Sequence, residues 1–114
     1  MTNPLTLDEY QKQAETTFIV KESKIEYLCL GLGSEVGEVQ DKIKKHMRDK
    51  EGTLHDMTYD QRVEVMKEAG DCLWYLANLA AQFQFDLSSV AEMNLHKLDR
   101  RMQLDLIQGS GDNR

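Results

Sequence analysis

Residues that break or staple a chain are scarce in this sequence. One proline and seven glycines among 114 residues leave few breakers, so long helices are the simplest reading. Aromatic residues make up only 7%, and extended β-branched runs are missing, which argues against a sheet. The two cysteines, Cys29 and Cys72, show no CxxC spacing, so a thiolate metal site is not expected. Both lie in apolar helical context and read as buried thiols rather than a disulfide. Positive charge is in deficit, and a net charge of −6 argues against duplex DNA or an anionic membrane surface as the main partner. No run approaches the roughly 18 apolar residues that span a bilayer. The opening "MTNPLTLDEY" has no basic region leading into an apolar core, so no signal peptide is expected. The location these absences suggest is the cytoplasm.

What is present is a globular composition, 40% apolar and 30% charged, at a length that suits one domain over 1–114. Thr6-Leu7-Asp8-Glu9 fits a capping box and predicts a first helix to about Lys21. A second helix is expected from Ser23 or Lys24 to Arg48, before the polar loop "DKEGTLHD", where Gly52 can turn the chain. Thr58-Tyr59-Asp60-Gln61 repeats the box and opens a third helix to about Phe83. Asp86 or Ser88 can cap a fourth, reaching about Leu106. The fold class is therefore all-α, a four-helix bundle-like single domain, followed by a flexible tail at 109–114.

Two short stretches stand out. "SEVGEV" places Glu35 and Glu38 around Gly37, and "KEAGDC" places Glu68 and Asp71 around Gly70. At about 100° per residue, Leu28, Val39, Leu32, Ile43, Ile25 and Val36 fill an arc beside Glu35, with Glu38 about 60° to the other side. On the third helix Leu79, Cys72, Val65, Phe83, Leu76, Ala69 and Leu73 fill the corresponding arc beside Glu68, and Asp71 again lies about 60° away. Both acid pairs thus sit on the shoulder of a core stripe. If those stripes face each other, four carboxylates line one seam, repel, and suit a hard divalent cation. A lone ExxE is commonly solvated surface, and the matched placement is what favours a site. Glycine inside a helix costs roughly 0.5–1 kcal/mol relative to alanine. Close helix approach accounts for Gly31 and Gly33, whereas beside the acids the missing side chain also leaves room for an ion.

The fourth helix supplies the opposite charge. In "NLHKLDRR", Asn94, Lys97 and Arg101 share a shoulder beside Leu98, Ala91 and Leu95. An amide, an ammonium and a guanidinium together suit phosphate oxygens, although a basic helix end is also favoured by the macrodipole. Lys42 follows Glu38 by one turn and reads first as its i,i+4 ion-pair partner, second as a phosphate contact. His46 reads as a satisfied residue near a helix end. Trp74 projects away from the core arc, towards a subunit contact or a stacked base. Tyr75 borders the acid shoulder and could border a nucleotide.

These residues resemble a known family. "GLGSEVGEVQDKIKK", "KEAGDCLWYLANLA" and "NLHKLDRR" are similar to the MazG-like nucleoside triphosphate pyrophosphohydrolases of the all-α NTP pyrophosphatase superfamily, whose signature is ExxE, a spacer, then ExxD. "LDEYQKQA" and "GSGDNR" resemble its small bacterial and phage members. The resemblance implies hydrolysis of (deoxy)nucleoside triphosphates between the α and β phosphates, giving monophosphate and pyrophosphate. It implies Glu35, Glu38, Glu68 and Asp71 as Mg²⁺ ligands, with Mn²⁺ able to substitute, and Asn94, Lys97 and Arg101 as phosphate contacts. Either Glu35 or Glu38 would take the proton from water. Tyr10 and Gln11 become candidate contacts to base or sugar, and Asp112 and Arg114 candidate lid residues. A homo-oligomer, dimer or tetramer, with sites at or near subunit contacts, is also implied. Rivals are a dUTPase-like or phosphoribosyl-ATP pyrophosphohydrolase member, a helical interaction module, and a nucleotide-binding regulator without turnover.

Overall fold

The structure, a computed structural model, describes residues 3–49, 54–104 and 107–112. They form four helices and no strand: α1 (Leu7–Thr16), α2 (Lys24–Asp49), α3 (Tyr59–Gln82) and α4 (Leu87–Gln103). The turn expected at Gly52 lies outside the described residues.

The first helix stops well before Lys21. Thr16 and Thr17 turn their hydroxyls back to donate to the Gln13 and Ala14 carbonyls, at 2.6 and 2.9 Å. The β-branched, aromatic run that follows has little helix propensity of its own. Ser23 then takes a left-handed backbone conformation, φ 52°, which redirects the chain into α2. At the start of α1 the Thr6 hydroxyl accepts from the Glu9 amide at 3.1 Å, but the Glu9 carboxylate takes the Thr6 hydroxyl rather than its backbone. The box is complete only on α3. There the Gln61 amide donates to Thr58 Oγ1 at 3.2 Å and the Thr58 amide to Gln61 Oε1 at 2.9 Å.

α4 is capped from a distance. Asp86 occupies its N-cap position, yet its side chain makes no capping bond. The donors of the first turn go instead to α1: the Leu87 amide to Gln11 Oε1 at 2.9 Å, and the Ser88 amide to Asp8 Oδ1 at 2.9 Å. The Ser88 hydroxyl also donates to Asp8 Oδ2 at 2.7 Å, and these bonds hold the Asp8 carboxyl below the usual carboxylate range. The other end of the Gln11 amide donates to the Ala77 and Phe85 carbonyls, at 3.1 and 3.0 Å. One buried glutamine thereby ties α1 to α3 and to the turn entering α4. Its candidacy as a base or sugar contact meets an amide already committed at both ends.

The core beneath this knot is small: Ala14, Ala77 and Leu87, with Tyr10, Leu73 and Trp74 packed against it. Trp74 therefore points inward between α1 and α3, correcting its expected outward projection. The sequence arc omitted it because α1 packs on a different face of α3 from α2. Its indole donates to Thr17 Oγ1 at 2.7 Å. Elsewhere Leu28 and Val65 are buried along the α2–α3 seam. Cys29 is exposed and Cys72 half-buried, both free, so the expectation of two buried thiols fails for Cys29.

α2 packs along α3, while α4 rests on α1 and α3 and touches α2 nowhere among the described residues. The chain is correspondingly open, with a radius of gyration of 17.2 Å, where roughly 13 Å is usual for this length. Val36, Leu76, Phe83, Leu95 and Leu98, expected in core stripes, are instead exposed. The stripes exist, but this single chain has no helix to cover that part of them. Among the described residues no helix is long and apolar enough to cross a membrane.

Replacing Gln11 by alanine strands the buried Leu87 amide and two carbonyls. Chemical denaturation should show a loss of about 2–3 kcal/mol. A loss below ~0.5 kcal/mol would show that water satisfies these groups.

Candidate functional site

Packing α2 along α3 brings acids from both helices together. Glu35, Glu68 and Asp71 each offer a carboxylate oxygen, and these atoms all lie within 4.8 Å of one another. Glu38 is exposed and stands outside this tight group, yet its charge still acts on Glu35. The Glu35 carboxyl is held above the usual range by burial first, then by the Asp71, Glu68 and Glu38 charges. Repulsion within the cluster is thus only partly relieved. The nearest compensation is Lys42, whose Nζ lies 3.6 Å from Glu68 Oε1. Lys42 therefore pairs across the seam with Glu68 and not along its own helix with Glu38, because its side chain leans over the neighbouring helix. Three converging oxygen donors of this kind could hold a hard divalent cation.

The glycines divide by role. A Cβ at Gly31 would overlap the hydroxyl edge of the Tyr75 ring, so this glycine lets α3 seat an aromatic side chain against the α2 backbone. Added Cβ atoms at Gly33, Gly37 and Gly70 would meet open space, so helix approach does not explain Gly33. Beside the acids, Gly37 and Gly70 leave the approach to the carboxylates clear.

Tyr75 is fixed on its other sides by Trp74, edge-on at 4.9 Å between ring centroids, and by Tyr27 at 6.3 Å. Burial pushes its phenol up first, followed by Tyr27 and the Glu35 and Asp71 charges. A cleft of about 330 Å³ opens here, lined by Thr17, Glu35, Asp71, Trp74 and Tyr75. Tyr10 packs on the core below, its phenol raised by burial and then by the Asp71 charge. Thr17 carried no signal in the sequence beyond its place in a β-branched run. On the other flank, a cavity of about 300 Å³ has Lys42, Lys45, His46 and Gln61 in its wall. His46 is buried there and its Nε2 has no hydrogen-bond partner, which overturns the reading of a satisfied residue.

The basic shoulder of α4 is not brought to the acids within one chain. Asn94 is exposed, and neither Lys97 nor Arg101 makes an ion pair with any of the four carboxylates. Both cations face the C-terminal segment instead. Lys97 Nζ lies 3.0 Å and Arg101 Nη2 3.1 Å from Asp112 Oδ1. The described part of the tail is therefore anchored, where composition suggested a free end. Arg114, the other candidate lid residue, lies outside the described residues.

Residues 23–104 match the family model of the MazG nucleotide pyrophosphohydrolase domain. A relative of this chain is the Gene 37 protein of Mycobacterium phage L5, 44% identical over 90 residues that cover 79% of this chain and 76% of that protein. No solved structure matches the chain.

The raised Glu35 carboxyl has a defined pH signature in metal-free protein. Its protonated form is favoured by folding, so its contribution to stability is full below the ordinary 4.5 and is lost as pH rises through the folded value. Asp71→Asn should bring the Glu35 midpoint, followed by carboxyl NMR, back towards the ordinary range; an unmoved midpoint would remove Asp71 from the causes and leave burial with the Glu68 and Glu38 charges. Gly31→Ala should unseat Tyr75 and lower stability by about 1–3 kcal/mol in thermal melts. An unchanged melting temperature would mean that the ring yields freely.

Proposed function

Because the chain belongs to the MazG nucleotide pyrophosphohydrolase family, we propose that it hydrolyses (deoxy)nucleoside triphosphates at the α–β phosphate bond. Water attacks the α phosphorus, the α–β bridging bond breaks, and monophosphate and pyrophosphate leave. The observation that carries this reading is the convergence of Glu35, Glu68 and Asp71 oxygens within 4.8 Å from two helices. A bound Mg²⁺ or Mn²⁺ supplies the positive charge that such a cluster lacks and that a polyphosphate needs. Glu38, exposed and outside the tight group, is free to take the proton of the attacking water. Lys42, already at the cluster edge, is placed to exchange Glu68 for a phosphate oxygen. The aromatic cleft of Thr17, Trp74 and Tyr75 offers the nucleoside a wall beside the carboxylates.

The remaining phosphate contacts, Asn94, Lys97 and Arg101, come from a second copy of the chain in this reading. Two facts support it: α4 makes no contact with α2, and Leu76, Phe83, Phe85, Val90 and Met93 form an apolar face open to solvent. A homo-oligomer, dimer or tetramer, covers that face and completes the site. The physiological task is sanitation or balancing of a nucleotide pool, in the cytoplasm of a bacterium or of a phage-infected host.

A panel of canonical and damaged nucleotides with Mg²⁺ or Mn²⁺, monitored for pyrophosphate and monophosphate, tests the reaction. Selective release from dUTP or phosphoribosyl-ATP would reassign the substrate within the superfamily, and no release from any nucleotide would refute hydrolysis. Glu38→Gln should lower turnover by ~10²–10⁴-fold and leave the Mg²⁺-dependent thermal shift in place. Glu35→Gln should lose both. Full turnover in Glu38→Gln would move the proton transfer to another group.

A further inference from the structure

Within the α4 basic pair Arg101 is covered in this structure, and what covers it is part of the same chain. Arg101 is only 6% exposed. Its Nη2 donates to the Gly111 carbonyl and to Asp112 Oδ1, both at 3.1 Å, while its Nε is buried with no partner. Lys97 donates to that same Asp112 oxygen at 3.0 Å. The chain reaches this position by turning back through Gly109 and Gly111, at φ 119° and 83°, conformations that other residues rarely adopt. An external phosphate cannot reach the Arg101 guanidinium while this segment covers it.

We propose that the segment 107–112 is a displaceable internal anion, whose Asp112 carboxylate occupies the Lys97–Arg101 pair until a polyphosphate takes its place. This inference rests on the reading of Lys97 and Arg101 as phosphate contacts and adds how access to them is controlled. The chemistry of the exchange is balanced in charge: a carboxylate leaves two cations and phosphate oxygens arrive. Three features make it reversible. The Asp112 side chain is 78% exposed, and ion pairs so open to water are weak. The plug leaves Arg101 Nε without an acceptor, and a phosphate presents more oxygens than one carboxylate oxygen can supply. The hinge is glycine at two positions, so the segment can swing without side-chain clashes of its own. The carboxyl of Asp112 is held below the usual range by Lys97 and then Arg101, so the two cations favour its charged form.

Binding of inorganic tripolyphosphate to the full chain, by calorimetry in low salt with EDTA, isolates this pair from any metal. Asp112→Asn should bind about 2–5-fold more tightly than the unaltered chain, the size expected on removing a competing ion pair whose carboxylate is open to water. Lys97→Ala should bind more weakly than either. In parallel, tripolyphosphate should shift the Gly109 and Gly111 amide resonances of the unaltered chain towards their positions in Asp112→Asn. Equal or weaker binding by Asp112→Asn would overturn the proposal and assign Asp112 to holding the two cations in place. Binding that leaves both glycine resonances still, or that survives Lys97→Ala unchanged, would overturn it too. Nucleotide hydrolysis is read separately: turnover with no effect of Asp112→Asn sinks the plug alone, and the converse pattern sinks hydrolysis alone.

Discussion

Like charges forced into one space are the constraint around which this molecule is arranged. The α2–α3 seam needs its apolar stripes to meet, and the acids on the shoulders of those stripes then have to converge. Burial of the seam lowers the local dielectric and strengthens their repulsion, as the raised Glu35 carboxyl records. Lys42 relieves part of it from the edge at 3.6 Å. Gly37 and Gly70 contribute by having nothing beside the acids to block an approach. In the reading proposed above, a divalent cation would complete the relief, and stability and affinity would share one source.

The second constraint is the shape of a chain that does not close on itself. Small residues, Ala14 against Ala77, let α1 approach α3 closely enough for Gln11 to reach across to two backbones. That amide, together with Asp8, ties the start of α4 to α1, and α4 leaves α2 untouched. The apolar stripes of Leu76 and Phe83 consequently face water, and a lone copy presents surface that a small domain can ill leave open.

Much of the helical plan was legible because its signals are local. Thr58 and Gln61 are three apart, and their box closes as the pattern predicts. The acid pairs were legible because helical geometry alone puts them on core shoulders. What escaped had partners far along the chain or competing preferences nearby. Asp8 and Gln11 cap a helix that begins 76 or more residues later, and no window of sequence could show it. Trp74 was placed outward by one apolar arc, although α1 covers a second face of the same helix. Lys42 had an obvious neighbour in Glu38, yet reached Glu68, since a flexible ammonium follows the densest negative field. The end of α1 at Thr16 came from hydroxyls that hydrogen-bond their own backbone, a competition that a capping pattern at the other end does not report.

The cross-chain capping of α4 has a consequence for how such a chain can change. Asp8 and Gln11 lie one turn apart on α1, and together they fix both the start and the direction of α4. One residue inserted between them would turn Gln11 by about 100° away from its partners. One inserted before Asp8 would leave the pair intact. The short first helix therefore acts as a gauge, with its register setting where Lys97 and Arg101 are carried. Its N-terminal end can vary while those few residues stay in step, whereas Ala14 in the core and Thr17 under the Trp74 indole hold the other end.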